Sequence, residues 1–245
     1  MNILVCITHV PDTTSKITFT DGETKFNKDG VQYIIGPYDD FTLARAVELK
    51  EQTQGEITVL NVGLVETEPT IRKALAIGAD KAIRIDAEPV DALFVAEQIA
   101  GVAKEGNYDL ILMGRESIDY NGGVVHGMVG ELLNIPSISP VMKLDIDGTM
   151  AKLEKAIDGG KQLLEVDLPF VAGCQEPIAE WKIPNMRGIM QARSKPLDVK
   201  PIYSDEKGTS LIKHSLPATK SGCKLVDADN VEELIDLLRN EAKVI

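Results

Sequence analysis

The sequence predicts an α/β fold: a doubly wound, mainly parallel sheet with a β-hairpin addition and an extended C-terminal arm that ends in a helix. Short apolar runs alternate with longer segments of helical spacing through the first 144 residues. This alternation indicates βαβ units with helices on both faces of the sheet. Apolar residues make up 44% of the 245-residue chain, enough to bury a substantial core in one domain.

The first elements are a strand, a polar region and a helix. The apolar run near the N-terminus is typical of a buried parallel strand. The polar region after it contains two weak strand-like pieces, residues 16–20 and 31–35, which we expect to pair as a small hairpin. In the helix that follows, Asp39 and Asp40 suit the first turn by capping and by interaction with the helix dipole.

Strands and helices then alternate as far as the predicted hairpin. In chain order they occupy residues 56–62, 69–77, 81–85, 91–104, 110–113, 124–133 and 138–144. The turn Asp158-Gly159-Gly160 between two strand-like runs predicts the hairpin, and residues 170–174 predict another buried strand. Residues 195–221 are rich in Pro, Lys, Ser and Gly and predict the extended arm. Residues 229–240 have the spacing of an amphipathic helix.

Composition excludes several classes of partner and compartment. The formal charge of −12 disfavours non-specific binding to nucleic acid or to anionic membranes. No run reaches the roughly 20 apolar residues that a membrane-spanning helix needs, and the N-terminus lacks the basic lead of a signal peptide. The three cysteines are too irregularly spaced for a disulfide framework or a zinc site. We therefore predict a cytoplasmic protein with free thiols.

The segment from Gly114 to Gly123 carries the clearest binding signal from residue types alone. Ligands of open parallel sheets bind at the carboxyl ends of the strands, and this segment joins a strand to a helix. Gly122 and Gly123 would let the backbone approach a ligand, and the helix N-terminus would offer N–H groups to an anion. Asp119 and Asn121 would bind the ligand or cap the helix. An ordinary connection with glycines for turning is the alternative, since neither GxGxxG nor a Walker A sequence is present.

Residues with catalytic potential are isolated in the sequence. His9, His126 and His214 have no Ser or Cys partner that would indicate nucleophilic catalysis. His, Cys and carboxylate residues also lack the spacing of a metal site. The residues alone therefore predict a nucleotide-binding domain with no catalytic residue and no metal.

Three segments together resemble the electron transfer flavoprotein β family. One is Ala156-Ile157-Asp158-Gly159-Gly160 followed by Leu168-Pro169-Phe170-Val171. Another is Glu176-Pro177 with the segment from Pro184 to Pro196, which contains Gly188-Ile189-Met190. The third runs from Ile71 to Asp80, with Leu75-Ala76-Ile77-Gly78-Ala79-Asp80 nearly as in the family. Val10-Pro11-Asp12 and Gly36-Pro37-Tyr38-Asp39 fall in register with these, so the resemblance covers essentially the whole chain.

The resemblance implies the β subunit of a heterodimeric electron carrier that performs no bond chemistry itself. Such a protein shares FAD with an α subunit and moves electrons between a flavin dehydrogenase of the acyl-CoA dehydrogenase type, as in fatty acid β-oxidation, and a downstream acceptor. It also implies that AMP binds structurally in the sheet crevice. The matching cofactor-binding positions are Cys6, Gly36, Pro37, Tyr38, Asp39, Val62, Gly114, Arg115, Ser117, Asp119, Asn121, Gly122, Gly123, Val124 and Val125. Tyr38 matches an aromatic residue near the edge of the electron-carrying flavin.

The resemblance also implies a surface for a partner dehydrogenase. The matching positions are Pro184, Asn185, Met186, Arg187, Gly188 and Ile189. Met186 stands where the family has an exposed apolar anchor, a residue type that makes a binding hot spot; a core methionine is the alternative. We expect residues 1–194 to form the nucleotide-binding domain, with a partner-recognition segment at 176–193, and residues 195–245 to form an arm and helix docked on the α subunit.

Two departures from the family leave alternatives open. Val124 and His126 replace the glutamine and the glycine of the family's usual phosphate loop, which removes a side-chain amide. One alternative is an electron-bifurcating member that binds a second FAD instead of AMP and oxidises NADH. Another is a standalone adenine-nucleotide-binding protein of the stress type. The segment at 180–183 carries extra residues, which suggests an altered choice of partner dehydrogenase.

Overall fold

The computed structural model describes residues 1–219 and 222–245. The strands are β1 (Asn2–Cys6), β2 (His9–Pro11), β3 (Phe19–Thr20), β4 (Lys25–Phe26), β5 (Tyr33–Ile35), β6 (Glu56–Val62), β7 (Lys81–Ile85), β8 (Leu110–Gly114), β9 (Ser137–Asp147), β10 (Met150–Ile157), β11 (Gly160–Asp167), β12 (Phe170–Cys174) and β13 (Leu197–Lys200). The helices are α1 (Pro37–Thr53), α2 (Glu68–Ile77), α3 (Ala92–Glu105), α4 (Val125–Leu133), α5 (Met186–Ala192) and α6 (Val231–Asp236). A 3₁₀ turn precedes α2 at Val65–Thr67, and π-helical turns at Leu237–Ala242 continue α6.

Nine of the strands in the described ranges form one sheet in the order β11-β10-β9-β12-β8-β1-β6-β7-β13. The neighbouring strands in the part β9-β12-β8-β1-β6-β7-β13 of this order are all parallel. At the other edge, β9, β10 and β11 form an antiparallel meander. The predicted parallel sheet and its hairpin addition are therefore confirmed. Gly159 sits at the tip of the hairpin with a φ of +79°, a conformation that favours glycine.

Helices cover both faces of the sheet, as a doubly wound fold requires. On one face, α1 and α2 pack against inward side chains of the strands, among them Val5, Val59 and the completely buried Phe170. On the other face, α3 and α4 pack against side chains such as Leu4 and Ile111. Adjacent positions of one strand point into opposite cores, which is why these strands read as continuous apolar runs in the sequence.

The small hairpin predicted between residues 16–20 and 31–35 is wrong. Its first piece contributes β3, which pairs with β4, and its second contributes β5, which pairs with β2. The short turn between β3 and β4 closes at lower entropic cost than the longer loop that the prediction required. A stack between the rings of His9 and Tyr33, with centroids 4.3 Å apart, supports the pairing of β2 with β5.

The beginning of the predicted arm is anchored to the domain. Strand β13 pairs in parallel with β7, so the sheet gains an edge strand that the sequence reading missed. The backbone N–H of Tyr203 then donates to Gln98 Oε1 at 2.7 Å, and the Tyr203 hydroxyl donates to Glu105 at 2.7 Å. The division of the chain after residue 194 stays a prediction.

The predicted terminal helix is present as α6 and its π-helical continuation. No residue of α6 is buried, and its apolar side chains Val231, Leu234 and Ile235 are exposed. Its docking on a partner subunit therefore stays a prediction. None of the helices in the described part of the chain combines the length and apolar character needed to cross a bilayer.

Replacing Gly101 by Ala is expected to loosen the anchor of the arm. A Cβ at Gly101 would lie 2.6 Å from Cδ1 of the Tyr203 ring, and overpacking of this kind costs about 1–3 kcal/mol of stability. We expect a lower urea midpoint and faster proteolytic cleavage near Tyr203. The matched control is Gly127→Ala in α4, where a Cβ meets nothing within 4 Å. Equal behaviour of the two variants would contradict the prediction.

Candidate functional site

The candidate site lies at the topological switch point of the sheet, between β1 and β8. Strands β1 and β8 are neighbours, but the chain leaves β1 towards α1 on one face and leaves β8 towards α4 on the other. The two connections therefore diverge and leave a crevice at the carboxyl ends of the strands. This is the position at which open α/β sheets bind ligands.

Asp39 joins the ends of β1 and β8 at the bottom of this crevice. One carboxylate oxygen accepts hydrogen bonds from the backbone N–H of Thr8 at 2.8 Å and from the Thr8 hydroxyl at 2.6 Å. The other oxygen accepts from the backbone N–H of Gly114 at 2.8 Å. Burial raises the pKa of Asp39 to about 6, although the three hydrogen bonds favour the ionised carboxylate.

The prediction that Asp39 and Asp40 cap α1 is wrong. The N-cap residue is Gly36, and no side chain caps this helix. The Asp39 carboxylate turns instead towards the strand ends, and Asp40 lies 3.6 Å from Lys73 on α2. Both carboxylates face partners on other elements, which sequence spacing within α1 does not reveal. Among the described residues, Asp40 Oδ1 accepts no hydrogen bond.

Two of the predicted cofactor-binding glycines make room for Asp39. A Cβ at Gly36 would lie 2.6 Å from Asp39 Oδ2, and a Cβ at Gly114 would lie 2.6 Å from Asp39 Oδ1 and 2.7 Å from Tyr38 Cβ. Glycine is therefore required at both positions by packing within the protein. Their predicted contact with a cofactor stays a prediction.

The other predicted residues of the crevice occupy both of its sides. Cys6 and Val62 lie at the ends of β1 and β6 and belong to the core beneath α3 and α4. Burial raises the pKa of the Cys6 thiol, so this group stays neutral. Tyr38 follows Pro37 in the first turn of α1, and the Arg115 guanidinium lies over its ring, 5.4 Å from the centroid.

Arg115 is the cationic group of the crevice. Its Nη1 donates to Gln175 Oε1 at 2.9 Å, and its Nη2 lies 3.4 Å from Glu116 Oε1. These contacts orient the guanidinium without using all five of its N–H donors. The side chain is half-buried, so the remaining donors are available to an anion in the crevice.

The loop after Arg115 is a turn whose internal contacts use its polar side chains. The backbone N–H groups of Tyr120 and Asn121 donate to the carbonyl of Ser117, and the Ser117 hydroxyl donates to the Asp119 carboxylate. Gly123 has a φ of +61°. Helix α4 begins after Val124 without a side-chain cap, so the alternative in which Asp119 or Asn121 caps it is wrong.

The donors around this loop suit a phosphate group. The first backbone N–H groups of α4 have no partner within the helix, and the helix dipole favours negative charge at this end. Gly122, Gly123 and Val124 are exposed, so a ligand can reach the backbone. Arg115 adds a positive charge on the same side of the crevice. The residues present therefore fit a ligand whose phosphate lies against the loop.

A cavity of about 260 Å³ opens beside the loop. It is lined by Arg115, Glu116, Gly123, His126, Ser139 and Pro140. The sequence analysis considered His126 as an isolated histidine and as a departure from the family. It missed Ser139, because β9 approaches the loop only in the folded sheet. The other two histidines are packing residues: the ring of His9 stacks on Tyr33, and the ring of His214 stacks on Phe19.

The predicted partner segment contains a helix that the sequence reading missed. Asn185 caps α5 by accepting the backbone N–H of Gly188 at 2.8 Å. Arg72 on α2 donates to the carbonyl of Ala192 at 2.8 Å, which holds the other end of α5. A groove of about 530 Å³ separates the helices and is lined by Pro69, Arg72, Lys73, Ala76, Pro184, Ile189, Ala192 and Arg193.

Apolar side chains near α5 are unusually exposed. Met186 is 74% exposed, so the alternative of a core methionine is wrong. Trp181, Ile183 and Met190 are exposed around it and were missed by the sequence reading. We call these four residues the apolar patch. Arg187 is also exposed, and it adds a charge beside the patch.

The described residues were compared with the requirements of a metal site and of a disulfide. No group of three or more His, Cys, Asp or Glu residues among them could hold a metal ion. Cys6 and Cys174 are free and buried, and Cys223 is free and exposed.

Comparison with known proteins gives the family. A family model described as "Electron transfer flavoprotein domain" matches residues 24–203. The chain is 36% identical to "Electron transfer flavoprotein subunit beta" of Bacillus subtilis (strain 168), and the match covers 100% of both chains. It is 33% identical to the protein of that name from Syntrophomonas wolfei, with 100% and 98% covered. The chain belongs to the electron transfer flavoprotein β-subunit family. A third protein of this name, from Bradyrhizobium diazoefficiens, is 30% identical over the full length of both chains.

The family match spans the parts of the fold that carry the site. Residues 24–203 include the first turn of α1, the crevice loop, the meander with β11 and the apolar patch. The predicted family is therefore confirmed. Residues after 203 lie beyond the matched range but within the full-length matches to the relatives.

Proposed function

We propose that this chain is the β subunit of a cytoplasmic heterodimer that carries electrons on FAD between a flavin dehydrogenase and a downstream acceptor. The α subunit holds most of the FAD, and this chain covers one side of it. The relatives are named subunit beta, which supports a partner subunit. FAD supplies reversible electron acceptance when it is bound, and this chain contributes binding and exclusion of water.

The crevice between β1 and β8 is the observation that carries the nucleotide part of the proposal. It combines the Arg115 guanidinium, the glycine-containing loop and the open N-terminus of α4 on one side. We assign AMP to it as a structural ligand. Cys6 and Val62, on the side of α3 and α4, would contact the base, and the loop from Arg115 to Val125 would hold the phosphate.

The apolar patch supports docking of a dehydrogenase of the acyl-CoA dehydrogenase type. Met186 and Met190 are exposed on successive turns of α5, beside Trp181 and Ile183. Solvent-exposed patches of large apolar side chains mark interaction sites, and one inserted side chain gives affinity with a small interface. We assign no catalytic residue, because the protein moves electrons between flavins without forming or breaking bonds.

Cofactor content of the complex tests the proposed function. We would co-express this chain with its α subunit, purify and denature the complex, and quantify the released nucleotides by chromatography. One FAD and one AMP per heterodimer are expected. Two FAD and no AMP would replace the simple carrier by the bifurcating alternative. Failure to form a complex, together with retention of ATP by the chain alone, would favour the standalone alternative.

Replacing Met186 by Glu is expected to slow electron transfer from the partner dehydrogenase. A charge at this anchor leaves a desolvated carboxylate in the interface, which costs at least about 1.4 kcal/mol, or tenfold in affinity. FAD and AMP content should not change. The matched control is Leu163→Glu on β11, since Leu163 is 72% exposed and lies at the far edge of the sheet. Equal rates for the two variants would reject the assignment of the patch.

A further inference from the structure

A glycine on β12 makes room for two of the side chains that line the cavity beside the crevice loop. Gly173 on β12 has no side chain, and a Cβ there would lie 2.8 Å from His126 Cδ2 and 2.5 Å from Ser139 Oγ. Only glycine therefore leaves both side chains in their observed positions. The His126 ring is on α4 and the Ser139 hydroxyl is on β9, so the two polar groups come from separate elements and meet at one cavity.

The polar groups of this cavity are donors suited to an anion. Arg115 lines one wall and keeps unused N–H donors. Ser139 contributes a hydroxyl. The His126 ring already has neighbours within the protein, a hydrogen bond with the Gly123 backbone and Ser137 Oγ at 3.4 Å from Nδ1, so it offers at most one nitrogen to a ligand. Neighbouring Ser137 donates to the carbonyl of His126 at 3.0 Å, which fixes the first turn of α4 beneath the ring.

We infer that His126 and Ser139 bind a phosphate group of the adenine nucleotide together with Arg115, which lines the same cavity, and that His126 is a specificity-determining residue of this chain. The inference rests on the proposed nucleotide binding and extends the site beyond the loop. A cavity of about 260 Å³ is large enough for one phosphate group with its water. Phosphate oxygens accept hydrogen bonds strongly from hydroxyl groups and from cationic nitrogen donors.

The charges around His126 make phosphate binding depend on pH. Burial lowers the pKa of His126. A hydrogen bond with the Gly123 backbone raises this pKa, and the positive charge of Lys155 on β10 lowers it. Arg115 and Glu116 face the same cavity with opposite charges. The ring is therefore neutral near neutral pH without ligand. A phosphate dianion in the cavity stabilises the protonated ring and raises its pKa, so affinity falls as pH rises.

Calorimetry on the full-length chain and on its heterodimer tests this inference. After removal of copurified nucleotide, we would titrate AMP, adenosine and inorganic phosphate into the wild type and into His126→Gly, His126→Gln and Ser139→Ala. Loss of one hydrogen bond to a charged phosphate is expected to weaken AMP binding about tenfold. Adenosine binding should not change in any variant. The wild type should bind AMP more tightly at pH 6 than at pH 8. Part of this pH dependence comes from ionisation of the AMP phosphate itself, and His126→Gly should lose the remaining part.

Histidine NMR gives a second readout that does not depend on activity. The chain has three histidines, and His126→Gly identifies the signal of His126 by its disappearance. AMP should raise the pKa read from this signal. Unchanged AMP affinity in His126→Gly and Ser139→Ala, or a His126 signal that AMP does not move, overturns this inference alone. Inorganic phosphate that binds without competing with AMP also overturns it. A wild type that binds no adenine nucleotide overturns both the inference and the proposed nucleotide site.

Discussion

Replacing Asp39 by Ala is expected to lower the free energy of unfolding by about 2–5 kcal/mol, because two buried N–H groups lose their acceptor. These are the backbone N–H groups of Thr8 and Gly114, whose hydrogen bonds to the carboxylate join the ends of β1 and β8. The measurement is urea denaturation of the full-length chain at pH 7. We also expect weaker AMP binding, since the crevice loop begins at Gly114.

The neighbouring carboxylate supplies the control for this variant. Asp40 is half-buried, and among the described residues its ion pair is with Lys73, at 3.6 Å. Asp40→Ala should therefore cost about 1 kcal/mol or less. Equal losses for the two variants would show that the link from α1 to the strand ends does not stabilise the fold.

The pH dependence of stability gives an independent test of Asp39. Burial raises its pKa from 3.8 to about 6 in the folded protein, so the folded state holds the proton more tightly than the unfolded state. The stability that the protonated Asp39 contributes is complete below the unfolded pKa and is lost as pH rises through about 6. The folded and unfolded pKa values differ by an amount equivalent to about 3 kcal/mol of stability. Compared with Asp39→Asn, the wild type should lose stability between pH 4 and pH 7. Parallel pH profiles for the two proteins would reject the assignment.

The buried part of the fold could be read from the sequence because its strands are parallel and covered on both faces. Strands β6, β7 and β12 begin and end where the predicted strands do, because strands covered on both faces are rich in apolar residues. The buried Asn61 and Arg84 are exceptions, and each donates a side-chain hydrogen bond to a backbone carbonyl. Strand β13 was missed because it lies at the sheet edge, where its sequence Leu-Asp-Val-Lys needs only one covered face. Helix α5 was missed because it is short and contains Gly188, which permits close approach to Ala76.

The candidate site was predicted only where its chemistry is local in sequence. The loop could be predicted from Gly122 and Gly123, because a backbone that approaches a ligand closely favours glycine. The role of Asp39 depends on partners that are 31 and 75 positions away, and no periodicity within α1 indicates them. The contribution of Ser139 to the cavity likewise depends on the pairing of β9 with β12.

Removing residues 217–245 is expected to abolish assembly with the α subunit while leaving the domain folded. The arm is held as far as His214, whose backbone N–H donates to the Glu23 carbonyl at 2.8 Å. Beyond it, side-chain hydrogen bonds among residues 222–245 are local, as between Lys224 and Glu241. Truncation should therefore change the free energy of unfolding by no more than about 0.5 kcal/mol. Size-exclusion chromatography after co-expression would measure assembly, and flavin absorbance would report retained FAD.

Substitutions on α6 test whether assembly depends on its apolar side chains or only on the presence of the arm. Val231, Leu234 and Ile235 are exposed in this chain, and an isolated helix as short as α6 gains little from its own hydrogen bonds. Burial of these side chains against a partner would supply the missing stabilisation, about 1.5–3 kcal/mol for each fully buried side chain. Changing all three to Ser should therefore reproduce the truncation, whereas Glu232→Gln on the polar side of α6 should assemble normally. Normal assembly of the triple variant would mean that the α subunit recognises a different surface, because the three substitutions remove most of the apolar area that α6 could bury against a partner.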